Sequence, residues 1–260
     1  MTVFDFHAHI YPEKVAARAV ESVGEFYHIP MNCDGTVNSL LQYGKEAGIT
    51  DFVVHSVATG AKQVERVNDF IAETAKAHPG LHGFGTMHAD YENKAAEIER
   101  MQTLGLKGVK IHPDSQLFAV DDPRMFEVYD AIRGKMPILV HCGDYRYDYD
   151  NPERVRRVLD LFPGLTFVAA HFGGWSVPDL ALEYLKDTDC YLDCSSSMMY
   201  LGRERSRELI RIYGADRFLF GSDFPMWNPK EELERFYALG LTADEEKQIL
   251  EVNPKKILHE

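Results

Sequence analysis

The chain has 260 residues, of which 45% are hydrophobic and 27% charged, as is typical of a soluble globular protein. At this length we expect one domain covering residues 1–260. The formal net charge is -13 and no basic stripe could follow a phosphate backbone, which argues against a nucleic-acid partner. No apolar run is long enough to span a bilayer, and the amino terminus lacks the positive charge of a secretion signal, so we expect a cytoplasmic protein without membrane contact.

Eight short runs rich in β-branched and aromatic residues alternate with amphipathic segments along the chain. This alternation is typical of parallel strands connected by helices, an α/β arrangement. In chain order, the predicted strands begin near Val3, Asp51, Leu81, Leu106, Pro137, Leu165, Cys190 and Phe218. The segments between them carry apolar residues three and four positions apart, as on one face of a helix that packs against the sheet.

The stretch between the first and second predicted strands, residues 11–49, is longer than a simple crossover and is expected to contain two helices. Eight strands and helices fit either an open sheet or a closed barrel. Histidine or aspartate follows the first, fifth, sixth and eighth strands, and only a closed ring brings these strand ends around one centre. We therefore predict a (β/α)8 TIM barrel of the α/β class, with a helical insertion after the first strand that helps to shape a pocket.

The first predicted strand ends in two histidines. Residues two apart on a strand share a face, so His7 and His9 are expected to point together into the barrel mouth. Phe4 and Phe6 fall on the other face and are expected to pack against the helices. Imidazole is a good ligand for zinc and related divalent ions. A pair of histidines is by itself weak evidence for a metal site, because the polar face of an ordinary strand has the same pattern.

Three further apolar runs each end on a polar residue that can bind a cation, namely His141, His171 and Asp223. Burying an unpaired polar side chain costs about 1–3 kcal/mol, so several such residues at matching strand ends point to a shared partner. A metal ion is such a partner. Asp193 and Ser195, on the seventh strand, are expected to form hydrogen bonds that support the ligands.

The motifs HAH on the first strand, VHCG on the fifth, AHFGGW on the sixth and FGSDFP on the eighth resemble those of the amidohydrolase superfamily, in its amidohydrolase-related branch, family 2. The resemblance covers nearly the whole chain, and it is specific for the fold and the metal site but not for the substrate. It implies that one divalent metal ion, zinc or alternatively manganese or iron, is bound by His7, His9, His141 and Asp223. His171 polarises the substrate or moves protons in single-metal relatives, and binds a second ion in two-metal relatives.

Lys110 lies where two-metal relatives carry a carboxylated lysine or a glutamate that bridges the ions. Three interpretations remain open: an unmodified lysine that binds a substrate anion, a carboxylated bridging ligand, or a charge that reaches solvent. We favour the first, because the resemblance is closest to the single-metal branch. A second ion bound through Lys110 and His171 is therefore the less favoured alternative.

The resemblance implies a hydrolase that uses a metal-activated water to cleave an amide, lactone or ester bond, with Asp223 and His171 as catalytic residues. Lys110, His112 and Arg146 are candidates for binding a substrate carboxylate, since guanidinium groups bind carboxylates in a bidentate manner. For Arg146 the alternative is an ion pair with a nearby aspartate. Trp175, which follows the sixth strand, is a further candidate for substrate contact, with packing as its alternative.

Two other functions remain open. The same branch resembles non-oxidative decarboxylases of aromatic or unsaturated acids, in which the metal orients the substrate and a proton is delivered to carbon. A non-catalytic barrel that only binds a ligand is disfavoured, because degenerate members usually lose metal ligands and all the expected ones are present here. The expected partner is a small-molecule substrate; relatives often pair through their outer helices, so a homo-oligomer is left open.

Overall fold

The computed structural model describes residues 2–259 and contains a sheet of eight parallel strands in chain order. The strands are β1 (Phe4–His9), β2 (Asp51–His55), β3 (Leu81–Thr86), β4 (Gly108–Ile111), β5 (Ile138–Val140), β6 (Phe167–Ala169), β7 (Tyr191–Asp193) and β8 (Phe218–Leu219). Each of the eight predicted runs contains one of these strands, so the predicted alternation is confirmed.

The barrel closes between β1 and the residues that follow β8. The amide of Phe6 donates to the carbonyl of Phe220 at 2.7 Å, and the amide of Asp223 donates to the carbonyl of His7 at 2.8 Å. A parallel bridge pairs Ala8 with Phe224. These contacts confirm the predicted (β/α)8 barrel, and they bring Asp223 directly beside the two histidines of β1.

Helices cover the outside of the barrel. They are α1 (Glu13–Tyr27), α2 (Val37–Ala47), α3 (Val64–Ala77), α4 (Lys94–Thr103), α5 (Pro113–Gln116), α6 (Phe126–Ile132), α7 (Pro152–Leu161), α8 (Pro178–Leu185), α9 (Met198–Tyr213), α10 (Pro229–Tyr237), α11 (Ala243–Lys247) and α12 (Asn253–Leu258). The first two occupy residues 11–49, which confirms the predicted two-helix insertion. Within residues 2–259, none of these helices is both long and apolar enough to cross a membrane.

One expectation for β1 is wrong. Phe4 and Phe6 do not pack against the helices around the barrel. They join Val53, Phe84 and other strand residues, together with two residues of α12, in an apolar cluster inside the barrel. The reason is a register shift between Asp5 and Ala8, where β1 pairs irregularly with β2. A one-residue shift in a strand exchanges its two faces, so apolar side chains fill the barrel below this point while the histidines still reach its mouth.

The interior cluster leads to a first prediction. Phe84 is fully buried and contacts Phe6 edge to face, with ring centroids 5.7 Å apart. We expect Phe84→Ala to lower the free energy of unfolding by about 3–5 kcal/mol, because the removed ring leaves a cavity that closely packed strands cannot close. Urea denaturation measures this loss. Leu161→Ala, on the exposed end of α7, is the control and should change stability by about 0.5 kcal/mol or less; equal midpoints for the two variants would contradict the interior packing.

Candidate active site and metal centre

Three of the four predicted metal ligands meet where β1 and β8 end. The Nε2 atoms of His7 and His9 lie 3.3 Å apart. The Oδ1 atom of Asp223 lies 3.4 Å from Nε2 of His7 and 3.5 Å from Nε2 of His9. Two imidazole nitrogens and a carboxylate oxygen thus converge on one small volume, as ligands of a single cation do.

Asp193 holds His7 in the orientation that metal binding needs. Its Oδ2 atom accepts a hydrogen bond from Nδ1 of His7 at 2.8 Å, so the lone pair on Nε2 faces His9 and Asp223. The Oδ1 atom accepts from the backbone amides of His171 and Ser195, both at 3.0 Å. The sequence predicts hydrogen bonds of this kind for Asp193, and the structure contains them; that they support a metal ligand stays a prediction.

Removing this support is expected to weaken metal binding. Asp193→Asn should lower the affinity for Zn²⁺ by about 10- to 100-fold, because the amide no longer fixes the tautomer of His7. Competition with a chromophoric chelator measures the affinity. Asp51→Asn is a matched control, since Asp51 contacts a ring nitrogen of His82 at 3.1 Å at the start of β2, at the opposite end of the barrel; a similar loss in both variants would contradict the assigned role.

His141 and His171 form a second pair beside this centre. The Nε2 atom of His171 lies 3.0 Å from Nδ1 of His141, and the rings of His171 and His7 have centroids 5.1 Å apart. Nε2 of His141 points away, toward Asp114, whose Oδ2 atom is 3.7 Å distant. His141 therefore lies near the centre, but one of its two nitrogens faces a different set of carboxylates.

Among residues 2–259, three groups of side chains have ligand atoms that all lie within 4.8 Å of one another. They are His7, His9 and His55; His7, His171 and Asp193; and His112, Asp114, His141 and Asp150. A His and Asp set that could hold a metal ion is therefore present at the predicted end of the barrel. These groups differ from the predicted set in that His141 lies in the third group, whereas His55 joins the two histidines of β1.

His55 is a candidate metal ligand that the sequence motifs do not include. It ends β2, and its ring centroid lies 4.3 Å from that of His9 and 5.1 Å from that of His7. The residue is fully buried, and neither ring nitrogen has a hydrogen-bond partner within the described part of the chain. Strand alternation by itself allows His55 into the barrel, but it does not indicate that both ring nitrogens lack hydrogen-bond partners among the described residues.

Burial keeps these imidazoles in the form that binds metals. Desolvation lowers the pKa of His7, His9, His55 and His141 well below the usual range, and the ammonium of Lys110 lowers each of them further. The histidines are therefore neutral at neutral pH. A neutral imidazole keeps a lone pair on one nitrogen, so the cluster can coordinate a divalent ion without first releasing protons.

The backbone is strained at the residues that surround the centre. His171, Ser196 and Asp223 adopt positive φ angles of 60°, 52° and 59°. Such angles are uncommon for residues other than glycine and cluster at functional sites. Two of these three residues, His171 and Asp223, line the cavity.

Lys110 lies beneath the centre and is completely buried. Its Nζ atom donates a hydrogen bond to Nε2 of His7 at 3.1 Å, and burial lowers its pKa to about 8. The interpretation that this charge reaches solvent is therefore wrong. The other two interpretations, an anion-binding lysine and a carboxylated ligand, both place Nζ at the metal centre.

Of the other three residues predicted to contact the substrate, only His112 lines the cavity. Nε2 of His112 lies 2.6 Å from the hydroxyl of Tyr27, and both residues line the cavity. The guanidinium of Arg146 instead contacts both carboxylate oxygens of Asp144 at 2.6–3.0 Å. This is the ion pair with a nearby aspartate that was the alternative to substrate binding. Trp175 packs against Tyr27 with ring centroids 5.3 Å apart. For Arg146 and Trp175, substrate contact stays a prediction.

A cavity of about 820 Å³ leads from solvent to the centre. Its floor includes His7, His9, His171 and Asp223. One wall comes from the insertion, through α1 side chains such as Val15, Ala19, Val23, Phe26 and Tyr27. The expectation that the insertion shapes a pocket is confirmed, and Tyr27 is a site residue that no sequence motif had indicated.

The sequence model of a family described as amidohydrolase matches residues 4–259. The chain belongs to the amidohydrolase family. This family is metal-dependent and its members are enzymes that act on small molecules, in agreement with the His and Asp cluster. A comparison of the sequence with curated proteins gave no match.

Solved structures share the fold over the full length. An uncharacterised TIM-barrel protein from Bordetella bronchiseptica has a TM-score of 0.77 at 23% identity, with 100% of this chain and 99% of that chain covered. The 5-carboxyvanillate decarboxylase of Sphingomonas paucimobilis has a TM-score of 0.77 at 17% identity, with 99% of each covered. A putative 2-pyrone-4,6-dicarboxylic acid hydrolase of Pseudomonas putida has a TM-score of 0.70 at 18% identity, with 99% and 97% covered. These likenesses show the fold alone, and the three structures include one named as a decarboxylase and one named as a putative hydrolase.

Proposed function

We propose that this protein is a metal-dependent hydrolase that cleaves an amide, lactone or ester bond of a small, carboxylate-bearing substrate. The observation that carries the proposal is the position of Asp223. Its Oδ1 atom lies within 3.5 Å of two neutral imidazole nitrogens at the floor of the cavity, where a carboxylate can accept a proton from water.

The donor set fits one divalent metal ion. Two imidazole lone pairs and a carboxylate oxygen lie 3.3–3.5 Å apart, an arrangement that a shared cation stabilises. His7, His9 and Asp223 would hold the ion, with His141 as the proposed fourth ligand. Nitrogen and oxygen donors suit zinc, which we propose, and also manganese or iron. When bound, the ion supplies Lewis acidity and lowers the pKa of a nearby water.

The remaining chemistry belongs to side chains of this chain. Asp223 takes a proton from the attacking water and delivers it to the leaving group. Nδ1 of His171 donates to the carbonyl of Ser195 at 3.1 Å, which directs Nε2 toward the centre. When protonated, this Nε2 atom donates to the carbonyl oxygen of the substrate as negative charge builds there. Lys110, as an unmodified ammonium, binds the substrate anion.

The second candidate is a metal-dependent decarboxylase of an aromatic or unsaturated acid. Two structural relatives named as decarboxylases, of 5-carboxyvanillate and of 2,6-dihydroxybenzoate, support it. In that reaction His171 or Asp223 delivers a proton to carbon, and a cation such as Lys110 contacts the carboxylate that leaves. The same cavity serves either reaction.

Elemental analysis followed by a substrate screen tests both candidates. The purified protein is analysed for bound metal, that metal is restored, and amides, lactones, esters and carboxylic acids are supplied. Hydrolysis predicts incorporation of oxygen from ¹⁸O-labelled water into the product. Release of carbon dioxide without this incorporation would overturn hydrolysis in favour of decarboxylation, and a protein that neither binds metal nor turns over any class would contradict both.

A further inference from the structure

A second cluster of ligand-type side chains lies beyond His141, in the loops that follow β4 and β5. It consists of His112, Asp114, His141 and Asp150, whose ligand atoms all lie within 4.8 Å of one another. All four residues are buried, and Asp114 and Asp150 have no exposed surface. His112 and Asp114 begin α5, and Asp150 ends the loop before α7, so the cluster ties two loops together.

The facing atoms of this cluster lack partners. Neither oxygen of Asp114 has a hydrogen-bond partner within residues 2–259, and the same holds for Oδ2 of Asp150 and for Nε2 of His141. An ionised carboxylate buried in this state is strongly destabilising unless a cation compensates it. Four unsatisfied polar atoms aimed at one another therefore point to a missing positive charge.

The neighbouring arginine does not supply that charge. The guanidinium of Arg146 forms its hydrogen bonds with Asp144 and with the carbonyl of Phe26. Consistent with this deficit, burial and the charge of Asp144 raise the pKa of Asp114, and burial and the charge of Asp114 raise the pKa of Asp150. After Arg146 and Asp144 are paired, the carboxylates of Asp114 and Asp150 have no arginine or lysine partner within the described part of the chain.

We propose that Asp114, Asp150 and Nε2 of His141 form a second divalent-cation site, separate from the centre at His7, His9 and Asp223. Two carboxylates and one imidazole suit Mn²⁺ or Zn²⁺. His112 completes the set only if its Nε2 atom releases the hydroxyl of Tyr27, 2.6 Å away. Because Asp114 and His141 line the cavity, an ion can enter from the same opening as a substrate.

This site differs from the two-ion centre of carboxylated-lysine relatives, because it uses neither Lys110 nor His171. The two ring nitrogens of His141 face different neighbours. Nδ1 lies 3.0 Å from Nε2 of His171, and Nε2 lies 3.7 Å from Oδ2 of Asp114. If Nε2 binds the second ion, the first ion can use His141 only through Nδ1. His55 lies beside His9, and both its ring nitrogens lack partners among residues 2–259, so it then offers the first ion a further ligand.

The test is metal stoichiometry after dialysis against Mn²⁺, measured by elemental analysis on the whole chain. We expect two ions per chain in the wild type and one in Asp114→Asn and in Asp150→Asn. Asp148→Asn is the matched control, because it removes an exposed carboxylate from the same loop as Asp150, and it should keep two ions. Lys110→Met should also keep two, whereas His9→Asn should lose the ion of the first centre alone.

A folding readout accompanies the stoichiometry. Added Mn²⁺ should raise the melting temperature of His9→Asn, whose second site is intact, and this rise should disappear when Asp114→Asn is combined with it. The proposal is overturned if the wild type binds one ion that both aspartate variants retain, or if the second ion is lost in Lys110→Met instead. Either result leaves the first centre and the proposed hydrolysis standing, so the two failures are distinguishable.

Discussion

Asp223→Asn is expected to lower kcat by about 10²- to 10⁴-fold, the range that a positioned general acid or base contributes. Asparagine has nearly the same shape as aspartate, but its amide cannot accept the proton of water. In the structure Oδ2 of Asp223 accepts from the hydroxyl of Ser196, so Oδ1 is the atom directed at the two histidines. The measurement is turnover of the screened substrate at saturating metal, across pH.

Measuring the metal content separates the two proposed contributions of Asp223, metal binding and proton transfer. Asp223→Asn also removes a charged ligand, so turnover is compared only after elemental analysis shows the variant to be loaded. Asp216→Asn is the matched control, because Asp216 is exposed and precedes β8 at the opposite end of the same strand. Near-wild-type kcat in loaded Asp223→Asn would contradict its role in proton transfer.

Lys110→Met is expected to lower kcat/KM by roughly 30-fold, corresponding to about 2 kcal/mol for one lost charge-assisted hydrogen bond to the substrate anion. The loss should appear mainly in KM, with metal content unchanged. The metal-free variant should be no less stable than the wild type, because burying an ammonium beside His7 costs desolvation. Steady-state kinetics and elemental analysis check these expectations together.

Lys107→Met provides the comparison for Lys110. Lys107 is exposed just before β4, and its replacement should leave kcat/KM unchanged. A drop in metal content in Lys110→Met alone would support the carboxylated bridging ligand instead. Unchanged kinetics and unchanged metal content in both variants would leave Lys110 with no part in the reaction.

Much of the site was predictable because the signals are local. His7 and His9 follow a strand whose alternation places both side chains on one face, and Asp223 directly follows an apolar run that must be a strand. Neither prediction requires knowing which other strand or side chain the residue contacts in the folded protein. The register shift in β1 had no such signal, since it depends on how the strand pairs with β2, and the predicted packing of Phe4 and Phe6 was therefore wrong.

The sequence by itself determined the alternation of strands and helices, the closed barrel and the end of the barrel at which the polar residues gather. The alternation follows from side-chain periodicity within short segments, whereas the barrel and its polar end follow from the histidine or aspartate at four of the strand ends. Only the tertiary structure decided that His55 lies beside His9, that Tyr27 reaches His112, and that Asp114 faces Asp150. Such contacts join residues far apart in the chain, and their geometry depends on how strand ends, helices and loops pack against one another, which no local pattern encodes.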